Sequence, residues 1–471
     1  MFYTKRPQGG PFAPQTRIPP LDSDDSCLSD SGDDDDDDDN TPKHGDFWRT
    51  PLVTSLINSK GVYKVSKMCN QRRTTLFDLD LTNSIVEQSN LYCRQQNPNS
   101  ALKLDQKELE QFIGTVVYMS ISHLPRSRMY WSSACRFPQV ADVMSRDRWE
   151  ELKRFIHFND NMAPNNDDRL FKIRPLIDSL LPKFQALPQD QMLCVDEQMV
   201  PFKGRSSLKQ YNPKKPYKWG YKIFMLCDTK GLVHSFEIFA GKIDPVPGQP
   251  DIGASGDVVL KLAQVIHPNI NHLLYFDSWF SSLNLFVALA KMGIPALGTV
   301  EKKHLQGCSF SEDSDMKKKG RGVFEEQEVV VDGVEMRAVK WFDHRGVIVA
   351  SSLPVKMKRN VFVKRPSIIA LYRKCMGGVD ALDALIAQYR IHIRSKKYYH
   401  RLFFHFVDMV IVNSWLLYRR DCVALCVPKK KEERQRCKLP LCKGHTVFKC
   451  EKCNVHLCLN KHNNCFRLFH T

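Results

Sequence analysis

The chain has 471 residues, 42% of them hydrophobic, which is enough for a large core and, as a prior, about three domains. Its 69 Lys and Arg against 52 Asp and Glu give a formal charge of +17, and eleven aspartates crowd residues 22–39 with no basic residue, so the remainder carries +28. Such a surface favours a polyanion partner, most often nucleic acid. No secretory signal is read at the start and no apolar run is long enough to span a bilayer, which argues against secreted and membrane classes.

Residues 1–45 are rich in Pro, Gly, Ser and Asp and are expected to be a disordered acidic tail. It either solvates the chain or competes with nucleic acid for the basic body. Residues 46–190 read as helical. Asp105 with Glu108 forms a capping-box pattern. Leu109, Phe112, Ile113, Val116 and Val117 follow at helical spacing, and Trp149, Leu152 and Ile156 repeat the stripe. These positions are core.

From residue 191 the pattern changes to strands: QMLCVDEQMV, YKIFMLCD, LVHSFEIFAG, HLLYFDSWF and IPALGTV. Helices are expected near 255–266 and 282–292, giving a mixed α/β sheet. Residues 304–365 break that rhythm with MKKKGRG and then EEQEVVVDGVEMRAVKWF and GVIVASSL, which read as an inserted β-rich segment. Helices return from about 376 to 420. The most apolar of them, near 398–418, is interrupted by Asp408 and Asn413. PKKKEERQR, at 428–436, reads as a basic linker and a possible nuclear import signal.

Three acidic stretches stand out. Asp196 lies in the first core strand, Asp277 directly follows another, and Asp380 and Asp383 are three apart on one helix face behind Gly377 and Gly378. A strand-end aspartate commonly caps or turns, and Asp228 reads as such a turn residue. Brought together, however, these carboxylates would repel unless cations neutralised them. Two Mg²⁺ ions bridged by carboxylates suit in-line phosphodiester chemistry.

Two stretches mix basic and aromatic residues. One carries Lys209, Lys214, Lys215 and Lys218 beside Tyr217 and Trp219; the other carries Arg390, Arg394, Lys396 and Lys397. They suit phosphate contact and base stacking, or form a solvated basic face.

Ten of the 16 cysteines are scattered without framework spacing, and six lie in the last 35 residues. Cys437, Cys442, Cys450, Cys453, Cys458, His462, Cys465 and His470 supply eight ligands, enough for two tetrahedral zinc ions. A module below the ~40-residue limit for folding on a core alone needs such support.

The succession VDEQMVPFKGR, KKPYKWGYKIFMLCD, YFDSWFSS and GGVDALD resembles the piggyBac transposase family and its domesticated derivatives over residues 46–471. The resemblance implies an RNase H-like α/β core at 191–303 completed by 366–389. It implies a helical dimerisation and DNA-binding domain at 46–190 completed by 390–420, with a β-rich insertion at 304–365 between. A basic linker at 421–436 would lead to a cross-brace zinc domain at 437–471. Asp196, Asp277 and Asp380 would form the metal-binding triad, with Asp383 accompanying them and Mg²⁺, replaceable by Mn²⁺, as the cation. Cys437, Cys442, Cys458 and His462 would share one zinc, and Cys450, Cys453, Cys465 and His470 the other, with His445 and His456 as alternatives. The implied activity is nuclear cut-and-paste transposition by a homodimer on double-stranded DNA, at transposon ends and TTAA targets. The rivals are a catalytically idle, domesticated DNA-binding protein and a zinc-stabilised chromatin module whose α/β body is a scaffold.

Overall fold

The computed structural model describes residues 76–163, 167–213, 215–305, 307–353, 366–424, 428–439, 442–450, 455–460 and 464–470. The acidic tail at 1–45 and the first part of the helical region, to 75, lie outside them.

Among the described residues the helical region begins with α1 (Leu79–Gln96), capped by Asp78, whose carboxylate accepts the Leu81 N–H at 3.1 Å. Helix α2 (Gln106–Ser122) starts at Asp105, which accepts the Glu108 N–H at 2.7 Å. Only half the expected capping box forms. The Glu108 carboxylate turns instead to Arg148, 2.6 Å away, at the start of α4 (Arg146–Phe155). Between them lies the short α3 (Pro138–Ala141), and α5 (Arg174–Gln185) follows. The stripe residues Leu109, Phe112, Ile113, Val116, Trp149, Leu152 and Ile156 are buried together, as their spacing predicts, while Val117 is half-buried at its edge.

The central sheet carries strands β1 (Met192–Pro201), β2 (Gln210–Tyr211), β3 (Trp219–Asp228), β4 (Val233–Ile238), β5 (Leu273–Phe276) and β6 (Ala296–Thr299). Helices α6 (Ala254–Ala263) and α7 (Leu283–Lys291) connect the later strands. Strands β1, β5 and β6 run parallel, and β3 pairs antiparallel with β1 from Leu193↔Asp228 to Pro201↔Gly220. The small helix α8 (Asp313–Lys319) precedes β7 (Phe324–Val331), β8 (Val334–Phe342) and β9 (Gly346–Ser351). These strands were expected as a separate insertion, but β9 pairs with β6, so they extend the same sheet in the order β2-β3-β1-β5-β6-β9-β8-β7. The edge of β6 is thereby covered by backbone hydrogen bonds, which no periodicity in the sequence announces.

Alternation along the strands separates two cores. Leu193, Val195, Phe224, Leu226 and Phe276 face α6 and α7. Cys194, Val200, Ile223, Met225 and Tyr275 face the helical side. That side is built from α9 (Ser367–Cys375), α10 (Gly378–Gln388) and α11 (Tyr398–Ala424). Helix α11 is buried nearly all round, from Leu402 to Val412, because it threads the helical core. Its polar interruptions have backbone partners. Asn413 accepts the Val233 N–H and donates to the Val233 carbonyl, both at 3.0 Å, and so satisfies the buried start of β4. Asp408 accepts the Ile391 N–H at 3.3 Å. Among the described residues no helix is long and apolar enough to cross a membrane.

The basic stretch expected as a linker is not one. Helix α11 continues to Ala424, and residues 428–436 form β10 (Pro428–Arg436), antiparallel to β11 (His445–Cys450). Backbone pairing supplies the order here, where side-chain hydropathy gives no strand signal. A final short helix, α12 (Cys465–His470), closes the tail.

Candidate functional site

The parallel pairing of β1 with β5 ends at Val195↔Phe276, so Asp196 and Asp277 are the next residues on neighbouring strands. Both follow the face of Cys194 and Tyr275, toward the helical side. Asp277 is no helix cap; Ser282 caps α7, while Asp277 accepts the Trp279 N–H at 2.9 Å. That turn fixes its carboxylate at the end of the strand.

Helix α10 brings the remaining acids. Its first residue must be glycine, because a Cβ on Gly378 would lie 2.1 Å from the Asp228 carbonyl oxygen and 2.6 Å from the Cys194 sulfur. This close approach sets Asp380, in the first turn, over β1. Lys215 ties the two elements: its Nζ is 3.4 Å from Asp196 and 3.9 Å from Asp380. Asp383 points inward and accepts from Gln198 Nε2 at 2.7 Å, while Gln198 Oε1 accepts from His405 Nε2 at 2.7 Å. Burial holds the His405 imidazole neutral, so it donates from Nε2. The four predicted acids thus fall into three settings: Asp196 and the exposed Asp380 flank Lys215, Asp277 ends the strand beside Asp196, and Asp383 lies in a buried relay one turn along α10.

Burial dominates the electrostatics. It pushes the Asp196 carboxyl up to about 7, with Lys215 opposing and Glu197 and Asp277 adding to the rise. Burial also raises Asp277 and Asp383. The Lys215 ammonium is held above its ordinary range: burial works against its charge, but Asp196 and Glu197 outweigh it. Carboxylate oxygens are the donors a hard divalent cation takes; Asp196 and Asp277 are partly desolvated, while the Asp380 side chain is 73% exposed.

Several residues at this site escaped the sequence reading. Gln198 is fully buried two residues beyond Asp196, and the strand period alone places it on the same face. Glu197, on the opposite face, accepts from Asn212 at 3.0 Å and pairs with Lys222 at 3.8 Å. Lys222 lies 4.2 Å over the half-exposed Trp279 ring, which stacks on Phe224. Asp228 is the turn residue expected, accepting the N–H groups of Lys230 and Leu232.

The seven basic candidates among the described residues do not form one surface. Lys218, Arg394 and Lys396 are exposed. Lys209 bonds the Gly204 carbonyl and lies 5.2 Å over the exposed Trp219. Lys397 is bound to the Arg154 carbonyl at 2.8 Å. Two are corrections to the reading as surface contacts: Lys215 faces the acids, and Arg390 is 3% exposed. Lys214 lies outside the described residues.

In the tail, Cys437, Cys442, Cys458 and Cys465 bring their sulfurs within 4.8 Å of one another. A tetrahedral zinc with ~2.3 Å bonds needs sulfurs about 3.8 Å apart, so the four fit one ion. Burial, then the crowded neighbouring thiols, push Cys458 to about 11 and Cys465 to about 12. Gly444 makes room, since a Cβ there would meet the Cys458 sulfur at 2.8 Å. Cys465 therefore stands where the family pattern put His462, rather than with Cys450. The reason is tertiary: the start of α12 folds back onto the first cluster, with the Phe466 N–H bonded to the Cys458 carbonyl at 3.1 Å. Cys450 is buried apart from the four. Cys453 and His462 lie outside the described residues.

The body is a mixed α/β fold that presents acids at the ends of adjacent strands and at a helix start. A family model described as Transposase IS4 matches residues 74–415, and the chain belongs to that family. Within it the kinship is to piggyBac. The chain is 29% identical to PiggyBac transposable element-derived protein 3 of Homo sapiens, over 84% of this chain and 74% of that one. It is 30% identical to the human PiggyBac transposable element-derived protein 2, over 74% of this chain but only 60% of that protein. The fold matches piggyBac transposase, solved by cryo-electron microscopy as a synaptic complex with hairpin DNA, at a TM-score of 0.67, 21% identity and 76% coverage of each chain.

Proposed function

We propose that the chain is a metal-dependent DNA strand transferase of the piggyBac type, acting in the nucleus. The observation that supports this reading is that Asp196 and Asp277 directly follow the last register pair of two adjacent parallel strands, while Lys215 lies 3.4 Å from Asp196 and 3.9 Å from Asp380 at a helix start. Two Mg²⁺ or Mn²⁺ ions held by these carboxylates would supply charge neutralisation and water activation for in-line attack on a phosphodiester. The chain's own residues do the positioning. The β1–β5 pairing fixes Asp196 against Asp277, and the Gly378 contact fixes the height of Asp380. The Asp383–Gln198–His405 relay locks α10 to α11. In this reading hydrolysis of one strand at a transposon end frees a 3′-hydroxyl, which attacks the opposite strand, closes a hairpin and releases the flanking DNA's 3′-hydroxyl; a second hydrolysis reopens the hairpin, and the restored 3′-hydroxyl attacks a TTAA target and displaces a 3′-hydroxyl of the target strand. Residues 46–190 with 390–420 are proposed to bind DNA and form a homodimer, and the zinc-stabilised tail to read the transposon end.

A second reading, a domesticated derivative that binds DNA without cutting it, is favoured by the relatives, which are themselves named as element-derived proteins. One experiment separates the two. Full-length protein is incubated with DNA carrying the terminal repeats of its own element and with Mg²⁺ or Mn²⁺. Nicking that is lost in Asp196→Asn, Asp277→Asn and Asp380→Asn, with DNA binding retained, supports the transferase. Binding without nicking in the wild type overturns it in favour of the derivative.

A further inference from the structure

Lys215 is a buried lysine set against carboxylates. Its side chain is 16% exposed, and its Nζ lies 3.4 Å from Asp196 Oδ2 and 3.9 Å from Asp380 Oδ1. An ammonium is strongly hydrated and is buried only where such partners compensate it. The segment that carries it is held in place. Asn212 donates its side-chain amide to Glu197 on β1 at 3.0 Å and its N–H to the Lys218 carbonyl at 2.7 Å, which closes the turn around Lys215. The close approach of Gly378 to Asp228 and Cys194 fixes the helix that carries Asp380.

The neighbouring charges have partners of their own. Lys222 pairs with Glu197 at 3.8 Å on the other face of β1. Asp383 accepts from Gln198 at 2.7 Å, and Arg390 acts on its charge. Asp277 accepts the Trp279 N–H at 2.9 Å. Among the described residues, Lys215 is the cation that pairs with the acids of the site.

A count of charge gives the consequence. Carboxylates ligate as anions, so Asp196, Asp277 and Asp380 carry three negative charges as ligands. Lys215 cancels one and leaves two, the charge of one divalent cation. A second divalent cation would leave the site positive, and it would meet an ammonium already on the Asp196 and Asp380 oxygens. A DNA phosphate brings the missing negative charge and further oxygen ligands.

We infer that Lys215 is a positioning residue that fills one cation's place beside Asp196 and Asp380, so that the protein alone holds one divalent cation and takes the second only together with DNA. The inference rests on the proposed strand-transferase reading and adds an order of assembly to it. It requires no movement of the backbone, since the phosphate offsets the lysine's charge where it stands. The full set of cations is then complete only where there is DNA to cut.

The test counts the Mn²⁺ bound by the full chain at pH 8, from the paramagnetic resonance of the free ion. The aspartate run at 33–39 and the oligonucleotide also take up Mn²⁺, so the same count on the double variant Asp196→Asn, Asp277→Asn is subtracted. The difference should be one ion per chain without DNA and two with a saturating duplex oligonucleotide. Lys215→Met removes the charge at similar length. It should bind Mn²⁺ at least about tenfold more tightly without DNA, the least that like-charge repulsion at ~4 Å amounts to in water. Lys215→Arg should match the wild type. Two ions on the wild type without DNA, or an unchanged Mn²⁺ affinity in Lys215→Met, overturns the inference. A purely structural lysine gives that second result, because its loss lowers the melting temperature without tightening the cation. Should Lys215→Met fail to fold, the wild-type counts with and without DNA decide. If the double variant takes up as many ions as the wild type under both conditions, the acids hold no cation and the proposed function falls as well. If a difference is present but departs from these counts, only the role of Lys215 falls.

Discussion

Replacing Asp196 by asparagine should stabilise the protein while disabling it. The Asp196 carboxyl is pushed up to about 7 by burial, against ~3.9 for an unperturbed aspartate. Its side chain is 14% exposed, so solvent screens it little. A carboxyl raised in the native state holds its proton more tightly folded than unfolded. Stability therefore falls as the pH climbs from ~4 to about 7 and is flat beyond, with a total loss of about 4 kcal/mol. Asparagine does not titrate and escapes that loss. The loss of the Lys215 contact, 3.4 Å, works against the gain, so about 4 kcal/mol is the upper bound. At roughly 2 °C per kcal/mol for a large domain, the melting temperature of Asp196→Asn at pH 8 should exceed that of the wild type by up to about 8 °C. At pH 4 the two should coincide. Asp408, also raised to about 7 by burial, is present in both proteins and cancels in the difference. Thermal unfolding across this pH range, without divalent cations, is the assay. Saturating Mg²⁺ should then narrow the gap, because a ligand at a hundred times its Kd adds about 2.7 kcal/mol to the protein that binds it. Equal pH dependence of the two proteins between pH 4 and 8 would refute the burial argument. A stabilising effect of Mg²⁺ of equal size in both would refute the assignment of Asp196 to the cation.

Gly378→Ala should cost about 1–3 kcal/mol, because the new methyl meets the Asp228 carbonyl at 2.1 Å and α10 must lift from β1. A lower urea midpoint at unchanged slope would report it, and a midpoint equal to wild type would show that the helix does not need that approach. Cys465→Ser should remove one zinc ion per chain, measured by metal analysis of the purified full-length protein, since the four sulfurs within 4.8 Å act as one site. An unchanged zinc content would return Cys465 to a separate cluster.

Much of the architecture could be read from local pattern. The stripes around Phe112 and Trp149 and the strand at Met192–Pro201 each carry their period in sequence, because burial of one face imposes it. Asp196, Asp277 and Asp380 were legible as candidates because an acid at the end of an apolar run or behind paired glycines is locally unusual. Tertiary structure alone decided the rest. Strands β7–β9 join the main sheet rather than forming a separate body, since strand partners are chosen by long-range backbone pairing. The lysine-rich 428–436 is a strand for the same reason. Basic residues of one local type were divided by depth: Lys218 and Arg394 stay in solvent, whereas Lys215 turns to the acids and Arg390 is buried. The tail cysteines followed suit, with Cys465 reaching the first cluster through the fold of the tail. Sequence determines which chemistry a segment can offer, because residue type and period are local. Which groups meet depends on contacts between segments far apart in the chain, and only the folded backbone sets those.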